Sequence, residues 1–361
     1  MSTIAHVTTR VVPVRNTALP TAYASTRVAA EWRSHLFVRV ETADGHVGVA
    51  EGSPLPHFSG ENAESMAAVI EARLAPALYG LNLFGIEAIQ QKLELTVSGH
   101  FASKSTLINA LFDAQGRRLG LPVSDLLGGR LTDRLPLTGV VGLVETTQAI
   151  ADLQRFHEAG IRTFKLKAGR DIRRDAQLVQ TVRSKFGNDV QLRVDANGGW
   201  DRADARRFLR QVENCDLQYV EQPLPAGDLS GLAELRQLGS VPIAADESLF
   251  GLQDALTLIS QQAADVFIIK LIKHGGLHVA RKIAAAAEGA GISCVLVSPY
   301  ETALGASAGL QLAASSPAFP WAVEVGAGPL QIDAPGLSPL AVEDGHVLLP
   351  AGPGLGVDAS R

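Results

Sequence analysis

Six charged side chains stand at the ends of short apolar runs in the second half of the chain. They are Lys165 and Lys167 in RTFKLKAG, Asp195 in QLRVDANG, Glu221 in LQYVEQPL, Asp246 in VPIAADES and Lys270 in DVFIIKLIK. From Lys167 onward the intervals are 28, 26, 25 and 24 residues, the length of one strand, one helix and two loops. In a closed parallel barrel the strand ends of one kind share a rim, so three carboxylates and three lysines would converge on one cavity. Three carboxylates suit a hard divalent cation, which takes oxygen ligands and leaves positions for water and substrate. Lysines on either side suit proton transfer.

Lys165 and Lys167 are two apart on a strand and point to one face, into the barrel. Crowding and burial are expected to lower their pKa values, which would make a lysine a base near neutrality. Asp195, Glu221 and Asp246 could each cap the following helix; three in register after three apolar runs favour a metal site. Glu247 is adjacent to Asp246 and so points the other way, outside the ligand set. Asn197 is either a neighbour of the site or a turn residue. Lys270 ends a sixth run, opposite the second in an eight-membered ring. Lys273 reads as a solvated loop lysine. Glu301 in SPYETALG and Glu324 in WAVEVG fall on the same rim. None of the nine histidines falls at a strand end, so no serine or cysteine triad is expected.

The elements that position these residues are legible in outline. IAHVTTRVVPV, SHLFVRVETADG and HVGVAEG alternate apolar and polar residues and read as an antiparallel meander. AESMAAVIEARLAPAL and KSTLINALFDAQGRRLG read as helices, the second stopped by Gly120 and Pro122. Residues 1–125 therefore form an α+β unit. Candidate strands at 135–142, 163–167, 191–195, 217–221, 241–246, 265–270, 293–297 and 321–325 then alternate with helices such as TTQAIADLQRFHEAG, DARRFLRQVEN and GLHVARKIAAAAEGAG. That order predicts an α/β barrel over 126–325. An open doubly wound sheet would carry a glycine-rich phosphate loop after its first strand, and none is present. The Gly- and Pro-rich tail, 326–361, is expected to return to the first unit.

The chain has 361 residues, a 46% hydrophobic fraction and a net charge of -5. It is long enough for about two domains, and its charge gives no basis for binding nucleic acid or an anionic membrane. No secretory signal is expected from MSTIAHVTTRVVPV, and no apolar stretch is long enough to span a bilayer, so a cytoplasmic location is expected. Cys215 and Cys294 read as small buried hydrophobes rather than a disulfide framework.

Taken together, KLK, VDAN, VEQP, ADES and IIKLIKHGG resemble the enolase superfamily, and within it the muconate lactonizing enzyme subgroup. The resemblance extends over nearly the whole chain, including NALFDAQGRRLGLPVSDLLGG. It implies an N-terminal α+β capping domain, a modified (β/α)7β barrel, and one Mg²⁺ or Mn²⁺ held by Asp195, Glu221 and Asp246. It implies Lys167 and Lys270 as the acid/base pair, with Lys165 tuning Lys167. SPYET stands where the mandelate racemase branch carries a histidine, which argues against that branch. The resemblance further implies a small-molecule carboxylate substrate and a homo-oligomer, with octamers among the forms the family adopts. Its best match in activity is muconate cycloisomerase, converting cis,cis-muconate to muconolactone. The alternatives are epimerases or racemases of N-acylamino acids, dipeptides or proline derivatives, and o-succinylbenzoate synthase. WAVEVGAGPL replaces the Asp-x-Asp element of dipeptide epimerases. Substrate choice is expected in the cap loops 18–26 and 53–60, with Tyr23, His57 and Phe58 as contacts.

Overall fold

A computed structural model describes residues 2–16, 32–298 and 300–358. The N-terminal alternation folds as an antiparallel meander: Ile4–Asn16 pairs with Trp32–Thr42, which pairs with Val47–Gly52. Asp44 closes the second turn by accepting from the hydroxyls of Ser2 and Thr42, both at 2.7 Å. One face of this sheet lies on the long helix Phe101–Leu119, in which every residue from Ala102 through Gly116 is buried. Gly48 permits the approach, since a Cβ there would come within 2.1 Å of the Ala110 carbonyl oxygen. The helix ends at Gly120 in the left-handed region, with Pro122 just beyond, as the stop signal predicts. The helix read over 63–78 is interrupted by a wide π turn at Ile70–Leu74. Pro76 is the physical reason, because its ring and missing N–H disfavour the regular bond pattern of the preceding turn.

The second half forms a curled sheet of seven parallel strands in chain order: Thr138–Val141, Thr163–Lys167, Gln191–Asp195, Leu217–Glu221, Ile243–Ala245, Val266–Ile269 and Ser293–Leu296. Helices follow the strands, several with acidic caps from their own loops: Asp171, Asp201 and Asp228 accept from first-turn N–H groups. The ring closes through Val323 and Glu324. The Val323 N–H donates to Pro136 O and the Glu324 N–H to Leu296 O, while the Thr138 N–H donates to Val323 O. The expected eighth strand, 321–325, is thus two bridging residues. Pro320 precedes it, and Gly326 follows in a position where a Cβ would lie 2.6 Å from Glu301 O. The expected strand 135–142 is likewise two pieces. Arg134–Pro136 pairs outside the barrel with His346–Leu348, and Thr138–Val141 is the strand of the ring.

The tail contributes in three places. Ile332–Asp333 pairs with Arg15 and Asn16 of the first strand, His346–Leu348 pairs as above, and the Leu355 N–H donates to buried Asp113 on the long helix at 2.7 Å. Both cysteines are buried and free. Among the described residues, no helix is long and apolar enough to cross a membrane.

Candidate active site

Strand register sets the chemistry in rows. Lys167, Asp195 and Glu221 are direct neighbours across the second, third and fourth barrel strands. Lys165, Arg193 and Tyr219 form the row beneath. Alternation sends both rows into the barrel, while Leu166, Val194 and Val220 face the helices. Asp246 and Lys270 follow directly on the fifth and sixth strands.

The ammonium groups are interleaved with the carboxylates. Lys165 Nζ lies 3.2 Å from Asp195 Oδ2, 2.9 Å from Glu221 Oε2 and 2.8 Å from Glu324 Oε2. Lys167 Nζ lies 2.5 Å from the same Asp195 oxygen and donates to Asn197 Oδ1 at 3.2 Å. Lys270 donates to Asp246 Oδ2. Lys273 takes the other oxygen of Asp246 at 2.6 Å and its backbone carbonyl at 2.8 Å. Gln222 braces the same residue from the fourth strand, its Oε1 accepting from the N–H groups of Asp246 at 3.0 Å and Ser248 at 3.2 Å.

Charge proximity reverses the shift expected of Lys165. Burial pulls Lys165 down, but Glu221, Glu324 and Asp195 together hold it well above the ordinary lysine value. Lys270 is also raised, because Asp246 and Glu221 outweigh its burial. Lys273 goes the other way, lowered by burial and by neighbouring Lys270 despite Asp246. Burial would raise Asp195 and Asp246, yet the adjoining lysines hold both below the usual carboxylate range. Glu221 is pushed well above that range, first by burial and then by the negative charge of Asp195.

Glu221 provides the test of a metal. Its two carboxylate oxygens are buried without a hydrogen-bond donor, and among the described residues only Lys165 reaches it at ion-pair distance. A buried carboxylate with so little compensation needs a cation. Among the described residues no three acidic or histidine side chains stand gathered as a ready-made cluster, because lysines lie between them. The donor set is nonetheless three carboxylates on consecutive strand ends, the oxygen-only chemistry that Mg²⁺ or Mn²⁺ takes. Asp195, Glu221 and Asp246 fit such an ion.

The remaining residues read from the sequence divide. Asn197 is a turn residue, at φ 46°, and a polar bridge, donating to Glu247 Oε1 at 3.2 Å while accepting from Lys167. Glu247 therefore borders the site through Asn197, and its carboxyl is raised by burial and by Asp246 and Asp195. The Phe58 ring reaches the site, its centroid 4.8 Å from Lys270 Nζ and 5.3 Å from the Phe250 ring. His57, on the same short helix, is exposed. Tyr23 and the loop 18–26 lie outside the described residues. Glu301 is buried against Gly305, where a Cβ would lie 3.0 Å from it. Burial pushes its carboxyl up to about 8. Its neighbour Tyr300 is the one within electrostatic reach of Lys167 and Lys270.

Lys273 corrects the sequence reading. It is fully buried on a one-turn helix, Leu271–His274, which turns its side chain back onto Asp246. Lys270 is still extended and the helix begins only at Leu271, so no helical spacing in the sequence announces the contact. Gln222 and Arg193 were also missed. Arg193 is buried beneath the site, donating to Gln218 at 2.6 Å, Thr138 at 3.0 Å and Ala322 O at 2.9 Å. A charged residue inside an apolar strand was its only sign.

Comparisons with known proteins agree with this fold. Residues 6–128 match the family described as mandelate racemase / muconate lactonizing enzyme, N-terminal domain, and residues 148–361 match enolase C-terminal domain-like. The solved N-succinyl Arg/Lys racemase of Bacillus cereus superposes with a TM-score of 0.92 at 30% identity, covering 99% of this chain and 95% of that one. Muconate cycloisomerase 1 of Rhodococcus opacus is 34% identical over 94% of this chain and 91% of its own. L-Ala-D/L-Glu epimerase of Bacillus subtilis is 35% identical over 83% of this chain and 80% of its own. Enzymes of this family depend on a divalent metal, and the chain belongs to the enolase superfamily, in its muconate lactonizing enzyme subgroup.

Proposed function

We propose that this enzyme forms a lactone from cis,cis-muconate or a substituted muconate, by metal-assisted proton transfer at the carbon next to a substrate carboxylate. The observation that supports this most is the row Asp195, Glu221 and Asp246, flanked by Lys165 and Lys167 at one end and by Lys270 and Lys273 at the other. The three carboxylates would hold one Mg²⁺ or Mn²⁺, which when bound takes up charge from the substrate carboxylate as its α-carbon becomes carbanionic.

The chain's own residues do the rest. Lys167 and Lys270 come from the second and sixth of eight ring positions, so a proton can be handled on either face of the α-carbon. Lys165, shared among three carboxylates, stays charged and fixes the floor on which Lys167 rests. The Phe58 ring beside Lys270 keeps water from that ammonium. In lactone formation the second carboxylate of the substrate adds to the conjugated double bond, and one lysine gives its proton to the α-carbon. Pairing of Glu324 with Lys165, in place of an Asp-x-Asp element, favours this substrate over a dipeptide, as does the greater extent of the likeness to the cycloisomerase.

A second reading rests on the two lysines themselves. A base on each face also serves epimerisation or racemisation of an amino-acid derivative, the activities of two relatives, an N-succinyl-L-Arg/Lys racemase and an L-Ala-D/L-Glu epimerase. Proton NMR in D2O with added Mg²⁺ decides between them. Cis,cis-muconate converted to a lactone carrying one deuteron at the new methylene supports the proposal. Exchange of the α-proton of N-succinyl-L-lysine or L-Ala-L-Glu, with muconate untouched, supports the second reading and removes the first.

A further inference from the structure

Glu51, at the end of the third cap strand, reaches 251 residues along the chain to the loop after the seventh barrel strand. It is buried, 2% exposed, and so are its partners. Its oxygens accept from the Thr302 N–H at 3.0 and 3.1 Å, from the Thr302 hydroxyl and from the Gly305 N–H at 2.9 Å. His35 Nδ1 stands 2.5 Å away on the cap side, with its Nε2 at 3.3 Å from the Ser53 hydroxyl. A cap carboxylate thus serves as the acidic N-terminal partner of the barrel helix Ala303–Ala313. Apolar packing could join the two units without the desolvation that a buried carboxylate costs. A hydrogen-bonded carboxylate adds a fixed direction and distance.

The segment so fixed carries backbone strain. Tyr300, two residues before Thr302, sits at φ 58°, an outlier for a bulky side chain that persists only where its surroundings enforce it. A second cap residue holds the ring: the Arg33 guanidinium carbon lies 3.6 Å from its centroid. The Tyr300 side chain is buried and within electrostatic reach of Arg33, Lys167, Glu324 and Lys270. The cap therefore acts on this one residue twice, through its backbone and through its ring.

We propose that Glu51 is a positioning residue that latches the loop 300–305 to the cap and thereby sets Tyr300 as a specificity-determining wall of the reaction cavity. This rests on the reading of that cavity as the site of lysine proton transfer. The non-reacting end of the substrate packs against the ring, and the Arg33 guanidinium behind it favours a substrate with a second anionic or carbonyl group there.

The test uses the full chain with Mg²⁺. Hydrogen exchange of peptides spanning 300–306 is measured in the wild type and in Glu51→Gln, and kcat and KM in those two, in Tyr300→Ala and in the double variant. Cis,cis-muconate, N-succinyl-L-lysine and L-Ala-L-Glu are the probes. Glu51→Gln is expected to speed exchange in 300–306 by about tenfold or more while the barrel strands keep their protection. On whichever probe the wild type turns over, KM should rise about tenfold with a smaller loss in kcat. In the Tyr300→Ala background the same substitution should cost less than about twofold, the coupling expected when one residue acts through the other. Unchanged exchange, or losses that simply add, overturns the proposal. If Glu51→Gln does not fold, Thr302→Val removes one donor of the latch and carries the same comparison. A wild type that turns over none of the three probes defeats the functional reading, whereas the exchange result still decides the latch.

Discussion

Lys273 grips Asp246 at two points, 2.6 Å from its carboxylate Oδ1 and 2.8 Å from its backbone carbonyl oxygen. Lys270 is left with the other carboxylate oxygen. On the proposed function the two lysines would have different tasks, Lys273 orienting the carboxylate and Lys270 facing the substrate.

Lys273→Met leaves Asp246 buried with one partner fewer. In metal-free enzyme the expected loss of stability is roughly 3–5 kcal/mol, the range for breaking a buried ion pair. Chemical denaturation with and without Mg²⁺ checks it, and the loss should shrink when the ion is present. Wild-type stability in the metal-free variant would show that Lys273 only fills space.

Removing the metal should abolish turnover, and restoring Mg²⁺ or Mn²⁺ should recover it. An ion at a hundred times its dissociation constant stabilises by about 2.7 kcal/mol. Glu221→Gln keeps the shape but loses the charge, and most of that stabilisation should go with it. Thermal unfolding against metal concentration measures the effect; an undiminished shift in Glu221→Gln would place the ion elsewhere.

Lys167→Ala and Lys270→Ala should each lower kcat by about 10²–10⁴-fold, the usual contribution of a positioned acid or base. Circular dichroism should show the fold retained. If the reaction is lactone formation, one variant loses the proton donor and the other loses the charge that orients the substrate carboxylates, and kcat falls in both. If it is epimerisation, each variant should still exchange the α-proton of one enantiomer. Wild-type turnover by either variant would end the lysine mechanism.

Glu301 predicts a pH dependence of stability away from the lysines. Its buried carboxyl titrates near 8 in the folded chain against an ordinary value of 4.5. Over that window the folded state holds a proton that the unfolded state releases. Stability should therefore fall as pH rises from about 4.5 to about 8, by up to about 1.4 kcal/mol per unit from this group. Glu301→Gln should flatten that part of the curve, gaining stability relative to wild type at pH 8 and little at pH 4.5. Parallel curves for the two proteins would mean that the carboxyl is ionised at no cost.

Much of the site was legible because barrel strands repeat at a regular interval and alternate their faces. The spacing from Lys167 to Lys270 predicts five of the charged residues on one rim. What stayed hidden depends on contacts distant in the chain or on small turns. Glu51 and Thr302 are far apart in sequence, and neither has a local pattern that announces the other. Lys273 looked solvated because a four-residue helix leaves no periodic signature. The closing segment at Val323 and Glu324 read as a full strand, since its apolar pattern is right; its brevity comes from Pro320 and from the close contact at Gly326. The shift of Lys165 goes up rather than down because the sequence reading weighs ammonium against ammonium, whereas Glu221, Glu324 and Asp195 all lie beside it.

The long helix Phe101–Leu119 has no face of its own toward water over most of its length, being covered by the cap sheet on one side and joined on the other to the barrel, where the Leu277 N–H donates to Asn109 at 3.0 Å. Severing the chain near residue 125 would strip both halves of a shared interior. Calorimetry should accordingly register one melting event for the whole polypeptide, and the C-terminal half produced by itself should precipitate.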